Sequence, residues 1–416
     1  MGFSKILAWI AFSWYSFVVS LCILGWLTIR SVYSKSLIHI ENTISDPLPG
    51  VSILRPLKGL DPRMYDCLES AFLQDYPKFE IIMSVADETD PAVDVAKELI
   101  AKYPGVNAKV ILGKEQGDER IGQNPKINNL VRSERLAKYD ILWILDSNIW
   151  ISEGCIKRSV KSLISPGVQL VHHLPLCVAS SSQPSIGSRL DEMFLSTFHA
   201  RMYSAINRVA VTPCVIGKSN LFRRTSLFSR APKGLKEFSN YIAEDHLIAT
   251  TLWTRGRKSH FMAEEYVWQP VENISVNDYI ARRVRWIRLR KYFVTIPTLV
   301  EPLTESILSG FLGAWSISVL SNYKQIYIIW IIHMLIWMIM DYTQFNTLRS
   351  SLNNKIDKNN SNLVPCHYSF FHWLCIWVLR EILAFPIWVK SMFGSRIYWR
   401  NQTFALRADM TAQTID

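Results

Sequence analysis

The chain alternates long apolar stretches with segments in which apolar and polar residues follow one another closely. The first stretch, residues 3–29, has a single charged residue and is long enough for a tilted membrane helix, which needs about 20 apolar residues. Arg30 and Lys35 follow it, whereas a cleavable signal would end in small residues at a cleavage site. We therefore expect a retained membrane helix over residues 1–32 and a polar linker over residues 33–50.

Beyond the linker, the pattern changes to short apolar runs separated by helical segments. The predicted strands are residues 51–54, 79–85, 106–112, 141–145 and 168–175, and the predicted helices are residues 91–103 and 125–139. This spacing is typical of βαβ units. It predicts an α/β fold with a mainly parallel sheet over residues 51–277, although the part that leads to Pro270 shows less regularity.

A strongly basic helix and further apolar stretches follow. The basic helix is predicted at residues 278–292, the apolar stretches at 307–320, 326–340 and 370–393, and a polar loop at 346–367. The first two apolar stretches are short, so they form either a hairpin that turns at 321–325 or a re-entrant or interfacial piece. We divide this part into a basic interfacial region (278–303), a membrane region with two or three spans (304–395) and a tail (396–416).

Composition agrees with a globular domain that carries membrane helices. Hydrophobic residues make up 49% of the chain, and the formal net charge is +11. Positive charge alone does not separate nucleic acid, anionic lipid and a phosphorylated ligand as partners. The seven cysteines include no C-x-x-C pair and no zinc-site spacing, so we interpret them as mostly reduced and structural, with Cys214 either packing or lining a pocket.

Carboxylates follow two of the predicted strands. Asp146 comes directly after strand 141–145, and Asp87 and Asp90 come after strand 79–85. Ligands of open α/β sheets bind at the carboxyl ends of the strands, where such carboxylates can hold a cation or a ribose. The alternative for Asp146 is a turn or a helix cap, and for Asp87 and Asp90 it is capping of the helix near Pro91.

A third acidic pair, Glu244-Asp245, lies in a largely apolar setting. Burial would raise the pKa of Asp245 and suit it to act as a general base. A solvated helix start is the alternative interpretation.

The basic helix presents Arg282, Arg285 and Trp286 on one face, since these residues are spaced at i, i+3 and i+4. Arg283 and Arg290 point elsewhere. Two arginines on one face can grip a diphosphate and stabilise it as a leaving group. The alternative is a polybasic helix that lies on anionic lipid.

Together these elements resemble a known family. Asp90, Asp146, Asp245 and the Arg282-x-x-Arg285-Trp286 motif are similar to the three aspartates and the Gln/Arg-x-x-Arg-Trp signature of inverting, family-2-type glycosyltransferases with a GT-A fold. Within that group the chain resembles the ceramide glucosyltransferases through several further segments. These are residues 49–52 (PGVS), 56–59 (PLKG), 124–130 (NPKINNL) and 241–245 (YIAED), with one N-terminal and several C-terminal membrane segments.

The resemblance implies a GT-A-type, nucleotide-sugar-binding domain that transfers glucose from UDP-glucose to the primary hydroxyl of ceramide. It implies Asp245 as the base and Arg282 and Arg285 as the groups that stabilise the leaving diphosphate. Asp87 and Asp90 would hold uridine, and Trp286 would line the acceptor entrance. We also expect Lys126, Glu244 and His199 beside the substrates; from the residues alone, His199 would be a core or surface histidine.

The resemblance further implies a divalent cation, Mg²⁺ or Mn²⁺, at Asp146. Many relatives have Asp-x-Asp where this chain has Asp146-Ser147-Asn148, so a second carboxylate is missing and the cation requirement stays open. The cations after the first apolar stretch place the α/β domain on the cytosolic side and the N-terminus in the lumen. The expected location is the Golgi membrane or the endoplasmic reticulum, with the bilayer as a partner and no nucleic acid.

Two rival functions share some of these features. A processive polysaccharide synthase has the same acidic and Arg-x-x-Arg-Trp elements, but the few predicted membrane helices argue against a channel for a polymer. A non-catalytic membrane scaffold would use the basic helix only to bind anionic lipid. Formation of a product from a UDP-sugar separates these alternatives.

Overall fold

The structure, a computed structural model, describes residues 2–34, 48–113, 121–181, 183–254, 259–353, 368–400 and 402–415. The strands are β1 Val51–Leu57, β2 Phe79–Val85, β3 Ala108–Leu112, β4 Ile141–Leu145, β5 Leu170–Ala179, β6 Ser219–Arg223, β7 His260–Val271, β8 Arg396–Trp399, β9 Gln402–Leu406 and β10 Ala412–Ile415. The helices are α1 Phe3–Tyr33, α2 Met64–Phe72, α3 Ala92–Lys102, α4 Pro125–Leu136, α5 Cys155–Ile164, α6 Ile186–Phe194, α7 Ala200–Val209, α8 Arg224–Phe228, α9 Glu244–Leu252, α10 Val276–Phe293, α11 Thr295–Val300, α12 Ser306–Ser321, α13 Ile326–Asn353 and α14 Phe370–Met392. A π-helical turn, Leu195–His199, joins α6 to α7, and 3₁₀ turns lie at Gly234–Phe238 and Glu301–Thr304.

Seven strands form the central sheet in the order β3-β2-β1-β4-β6-β5-β7. Strands β1 to β4 pair in parallel, β6 runs antiparallel to both β4 and β5, and β5 and β7 are parallel again. Every residue of β1 and β4 is buried, which explains their nearly unbroken apolar sequences. The predicted α/β class with a mainly parallel sheet is confirmed, and the carboxyl end of β4 lies at its centre.

The segment without a clear pattern contains strand β7, which the sequence analysis missed. Its charged residues Glu264 and Glu265 interrupt the apolar run. Glu265 is nevertheless buried, because Arg158 of α5 pairs with it at 2.9 Å. A tertiary ion pair thus permits a charge that sequence reasoning treats as a break in the strand.

Three helices of the described residues are long and apolar enough to cross a membrane: α1, the first 25 residues of α13, and α14. Helix α12 follows a bend of 71° after the segment Thr295–Thr304, and this bent pair could form a fourth span or a re-entrant piece. By length and composition the described residues thus hold two or three candidate C-terminal spans, and the predicted number of spans stays a prediction. The polar loop predicted at residues 346–367 is wrong in its first part, because α13 continues as a helix to Asn353. Residues 354–367 lie outside the described part of the chain.

The apolar helices pack directly on the α/β domain. Arg201 of α7 and Asp341 of α13 form a fully buried ion pair at 2.7 Å. Gln344 of α13 donates hydrogen bonds to the carbonyls of Ser196 and Thr197 at 2.8 and 2.7 Å. These carbonyls belong to the π-helical turn, where the regular i→i+4 bonding is interrupted, so α13 adds donors to the turn and fixes it.

The predicted tail contains an antiparallel sheet of three strands, in the order β10-β9-β8. Phe404 is fully buried, and Ile397 and Phe404 share an apolar cluster with Ile242, ahead of α9, and with Leu289 of α10. The sheet therefore packs against two of the segments that the sequence analysis connected with function.

Candidate functional site

The loop after β4 is fixed by a buried arginine. Arg55, within β1, has no exposed surface and donates hydrogen bonds to the carbonyls of Asp146, Ile149 and Cys67 at 2.7, 3.0 and 2.8 Å. A charge inside an apolar strand is costly unless such partners are present. Arg55 therefore sets the direction in which the Asp146 side chain leaves the sheet.

The carboxylate of Asp146 binds two ammonium groups. Its Oδ1 lies 2.8 Å from Lys126 Nζ and its Oδ2 lies 3.0 Å from Lys218 Nζ. Burial raises the pKa of Asp146, but the two lysines outweigh burial and hold the pKa at about 2. Asp146 is thus a fixed negative charge at the centre of the sheet edge.

Lys126 reaches Asp146 because the start of α4 is locally determined. Asn124 is the N-cap of α4 and accepts hydrogen bonds from the amides of Lys126 and Ile127, while Pro125 occupies the first helical turn. The Lys126 ammonium then contacts Asp146, Glu244 Oε1 at 3.0 Å and the Gly217 carbonyl at 2.8 Å. Lys126 therefore joins the end of β4 to the start of α9.

Asp245 lies in the first turn of α9 and is partly exposed, next to the buried Glu244. A Cβ atom on Gly217 would lie only 3.1 Å from the Asp245 side chain, so the glycine permits this close approach. Burial raises the pKa of Asp245, while Lys126 and the amides of His246 and Gly217 partly oppose that effect. A partly exposed carboxylate with a raised pKa can accept a proton from a bound hydroxyl.

Asp90 contacts the start of α3, in line with its alternative role, whereas Asp87 bonds to Thr89 in the loop ahead of that helix. Asp87 Oδ1 accepts hydrogen bonds from the amide and the hydroxyl of Thr89. Asp90 accepts from the amide of Ala92, at the start of α3, and with both oxygens from the amide of Gly59. Both carboxylates thus stabilise loops at the ends of β1 and β2, and their contact with uridine stays a prediction.

The face of α10 that carries Arg282, Arg285 and Trp286 is directed towards β7, the last strand of the central sheet. Arg282 forms an ion pair with the buried Asp191 at 2.9 Å and donates to Gln269 of β7 at 3.0 Å. Its guanidinium lies over the Trp286 ring, 4.9 Å from the ring centroid. Arg282 is therefore rigidly held.

Arg285 lies on the same face but forms no hydrogen bond or ion pair within the described part of the chain. Burial, Arg282 and Arg400 lower its pKa to about 10, against a smaller opposing effect of Asp191. A guanidinium that is surrounded by other cations and has no anionic partner of its own is suited to bind an anion.

The other cations of α10 contact neighbouring segments. Arg290 and Arg283 both face Glu301, Arg290 in a close ion pair and Arg283 at 4.0 Å. Both side chains are thus directed to Glu301, which follows α10, whereas Arg282 contacts Asp191 and Gln269.

Arg288 and Lys291 bind the chain that follows α14. Arg288 donates to the carbonyls of Phe393 and Arg396, both at 2.7 Å, and Lys291 donates to that of Met392 at 3.2 Å. Cations at a helix C-terminus are favourable. These contacts give the basic helix specific internal partners, although they do not prevent it from also meeting lipid.

His199 closes the π-helical turn and stacks on Tyr203, with 5.5 Å between ring centroids. Its Nδ1 is buried without a hydrogen-bond partner among the described residues. Burial, with Arg283 and Arg290 nearby, lowers its pKa to about 3. His199 is thus neutral, and the structure does not bring it into hydrogen-bond contact with Asp146 or Asp245.

Sequence reasoning missed several residues at this site. Arg400, from the turn between β8 and β9, binds Asp61 Oδ2 at 2.8 Å, and the same oxygen accepts from the Ser147 hydroxyl at 2.6 Å. Lys218 precedes β6, which was not predicted. Among the residues that were missed, only Arg55 carried a signal in the sequence, because it is a lone charge in an apolar strand. Arg400, Asp61 and Lys218 reach the site only through the tertiary structure.

Glycosyl transferase family 21 matches residues 14–412. The chain belongs to this family. It is 38% identical to a ceramide glucosyltransferase of Komagataella phaffii, over all of this chain and 93% of the relative, and 36% identical to one of Candida albicans, over 88% of each.

The family membership confirms the resemblance seen in the sequence and the glycosyltransferase fold. A solved mannosyltransferase from Pyrobaculum calidifontis, in complex with GDP-Man and Mn²⁺, is similar at 16% identity and a TM-score of 0.49, over 85% of this chain and all of the other. The family membership makes this protein a glycosyltransferase, with an α/β domain and apolar helices that could span a membrane.

The residues around Asp146 do not fit a divalent cation in this arrangement. Divalent cations prefer several oxygen ligands, usually with more than one carboxylate. Here both oxygens of Asp146 bind ammonium groups, and Asn148, two residues on, is neutral and accepts from Lys218 at 3.2 Å. Asp146 as a metal ligand therefore stays a prediction that these contacts do not favour.

Another set of ligand-type side chains is Cys155, His173 and Glu265, which lie within 4.8 Å of one another and are buried. Glu265 already binds Arg158 and the Ser152 hydroxyl, at 2.9 and 2.7 Å. Hydrogen bonding within the protein thus accounts for this carboxylate without a metal.

Proposed function

We propose that this glycosyltransferase transfers glucose from UDP-glucose to the primary hydroxyl of ceramide, with inversion at C1 of glucose, to form glucosylceramide. The names of the relatives and their coverage of nearly the whole chain support the acceptor and the sugar. The observation that carries the mechanism is the position of Lys126, which joins Asp146 to Glu244 beside Asp245. A base and a group of cations thus share one edge of the sheet.

Asp245 is the base in this proposal. The acceptor hydroxyl oxygen attacks C1 of glucose from the face opposite the diphosphate, and its proton passes to the Asp245 carboxylate as the new C–O bond forms. The side chain is partly exposed and adjoins Gly217, where a larger residue would crowd it. Base catalysis of this kind typically contributes about 10² to 10⁴-fold to the rate.

Arg285 and Arg282 act on the leaving group. As the bond between C1 and the diphosphate oxygen breaks, negative charge collects on UDP, and preorganised donors stabilise that charge. Arg285 supplies a guanidinium that has no anionic partner among the described residues, while Arg282 is held in place by Asp191 and Gln269. Cations prepared in this way need little rearrangement during the reaction.

The remaining predicted site residues bind the substrates. Asp87 and Asp90 stand at strand ends, where the uridine of the donor would lie, and Asp146 with Lys126 forms the floor of the crevice. Trp286 and His199 both pack on Phe194 of α6, and Trp286 also packs against an apolar cluster that includes residues of α1, α13 and α14. We assign this side of the site to the lipid acceptor.

The membrane and its orientation are part of the proposal. UDP-glucose is anionic and cytosolic, whereas ceramide resides in the bilayer, so the catalytic domain (51–277) belongs on the cytosolic face of a Golgi or endoplasmic-reticulum membrane. Helices α1, α13 and α14 would then hold the domain against that face.

The direct test is a transfer assay with the purified, full-length protein in lipid nanodiscs. Ceramide, diacylglycerol and a sterol are each offered with UDP-glucose, UDP-galactose and UDP-N-acetylglucosamine, and products are identified by mass spectrometry. The expected result is a single β-linked glucosylceramide. A polymer, or transfer only to another lipid, would refute the proposal.

A further inference from the structure

Lys218 occupies the position at which the family resemblance places a divalent cation. Its ammonium lies 3.0 Å from Asp146 Oδ2 and 3.2 Å from Asn148 Oδ1. These two side chains are the first and third residues of the Asp-Ser-Asn segment after β4, the positions at which many relatives have two carboxylates. The lysine thus bridges the two side chains in the way that a metal ion would.

The charged groups in direct contact here balance without a metal ion. Asp146 and Glu244 supply two negative charges, and Lys126, which contacts both, and Lys218, which contacts Asp146, supply two positive charges. A divalent cation placed next to Asp146 would face two ammonium groups within a few ångströms and find only a neutral amide at Asn148. Like charges at such distances repel strongly where water is largely excluded.

The two lysines differ in their remaining hydrogen-bonding capacity. An ammonium has three N–H donors. Lys126 uses three acceptors, on Asp146, Glu244 and Gly217, so its role is to join parts of the protein. Lys218 has two acceptors, on Asp146 and Asn148, within the described residues, and one donor is left for an oxygen of a ligand.

We propose that the Lys218 ammonium replaces the divalent cation at the donor diphosphate, so that UDP binding and glucosyl transfer proceed without metal. Asp146 and Asn148 hold the ammonium in place, and the third N–H donates to a phosphate oxygen. This inference rests on the proposed function in that a nucleoside diphosphate must bind at this edge of the sheet.

The first experiment measures the affinity of the full-length protein for UDP by calorimetry in nanodiscs, in EDTA and in Mn²⁺. We expect wild-type affinity and turnover to differ by less than about threefold between the buffers, well below the tenfold that corresponds to 1.4 kcal/mol. Lys218→Met keeps the length of the side chain but removes the charge, and should weaken UDP binding by about 10- to 100-fold in EDTA. Uridine, which lacks phosphates, should bind both proteins equally.

The second experiment builds the missing metal site. Lys218→Met combined with Asn148→Asp removes the ammonium and supplies a second carboxylate, so UDP binding should recover in Mn²⁺ and fall again in EDTA. Lys233→Met is the matched control, because Lys233 is an exposed lysine outside the site, and it should bind UDP as the wild type does in both buffers.

The outcomes separate this inference from the proposed function. Loss of wild-type UDP binding in EDTA that Mn²⁺ restores, or unchanged binding of UDP by Lys218→Met in EDTA, would overturn the role of Lys218. Wild-type protein that binds UDP but does not glucosylate ceramide would refute the proposed function and leave the binding comparison to decide on Lys218. Absence of UDP binding in both buffers would refute both.

Discussion

Arg400 and Asp61 are 339 positions apart in the sequence, yet their side chains form an ion pair at 2.8 Å. Arg400 also donates to the carbonyl of Lys58 at 3.0 Å, so the turn between β8 and β9 holds the loop between β1 and α2. Because Asp61 also accepts from Ser147, the C-terminal sheet is connected to the loop that carries Asp146. The last residues of the chain thus help to shape the centre of the site.

Arg400→Gln should therefore loosen the loop at residues 58–61. We expect faster hydrogen–deuterium exchange there and weaker UDP binding, by a few-fold, since the pair is partly exposed and such pairs contribute only about 1 kcal/mol or less. Arg407→Gln is the control, because Arg407 is exposed and binds Gln413 within the same small sheet. Equal exchange in both variants would show that the Arg400 contact has no effect on the loop.

Asp245→Asn keeps the shape of the side chain but removes the base. Turnover should fall by about 10² to 10⁴-fold, while UDP affinity stays close to that of the wild type. Asp146→Ala should instead weaken UDP binding together with the rate, because it releases both lysines that the carboxylate holds. UDP affinity, glucosylceramide formation and thermal stability are measured for both variants in one nanodisc preparation. Near-normal turnover of Asp245→Asn would transfer the role of base to Glu244 or His199.

The pH dependence of turnover should reflect the opposite pKa shifts of two aspartates. Burial raises the pKa of Asp245, so this base is protonated at a pH where an ordinary aspartate, with a pKa of about 3.9, is still ionised. Asp146, with a pKa of about 2, keeps its charge. As the pH falls, turnover should therefore be lost before UDP binding. Parallel profiles of rate and affinity would contradict this order.

Arg285→Lys keeps the charge but loses the planar donor fork of the guanidinium. If Arg285 binds the leaving diphosphate, turnover should fall by about 10²-fold, as it does when one preorganised donor is removed from other active sites. Arg290→Lys is the control on the same helix, since Arg290 pairs with Glu301. Wild-type turnover in both variants, with membrane binding retained, would contradict the role of Arg285 at the diphosphate. It would favour the alternative in which the basic helix only binds lipid.

The proposed topology predicts that the sequon at Asn273 carries no glycan in cells. Asn273 is exposed, so it would be accessible to modification in the lumen. A sequon in a tag added before the N-terminus should be glycosylated, because that end is expected in the lumen. A glycan at Asn273 would show that the α/β domain faces the lumen. It would thereby remove the basis for cytosolic UDP-glucose as the donor. The same absence is predicted at Asn359, which lies outside the described residues.

The sequence by itself determined five of the seven strands of the central sheet and two of the helices of this domain, α3 and α4. The strands at 79–85 and 141–145 were predicted at their observed bounds, because both are short apolar runs with turn residues after them. The same reasoning placed Asp146 at a strand end and Arg282, Arg285 and Trp286 on one helical face, since each of these statements depends only on local periodicity. The start of α4 is likewise determined locally, because Asn124 caps this helix through the amides of Lys126 and Ile127.

Only the tertiary structure decided which charges meet. Lys218 lies 72 positions from Asp146, and Arg400 lies 339 from Asp61, so no local pattern connects them. Strand β7 was missed because its buried Glu265 depends on Arg158 of a different element, and the C-terminal sheet was missed because its apolar positions are few and face Ile242 and α10. Electrostatic partners are determined by distance in space, whereas periodicity reports distance along the chain. For this reason the sequence located the carboxylates of the site and Lys126, but not Lys218 or Arg400.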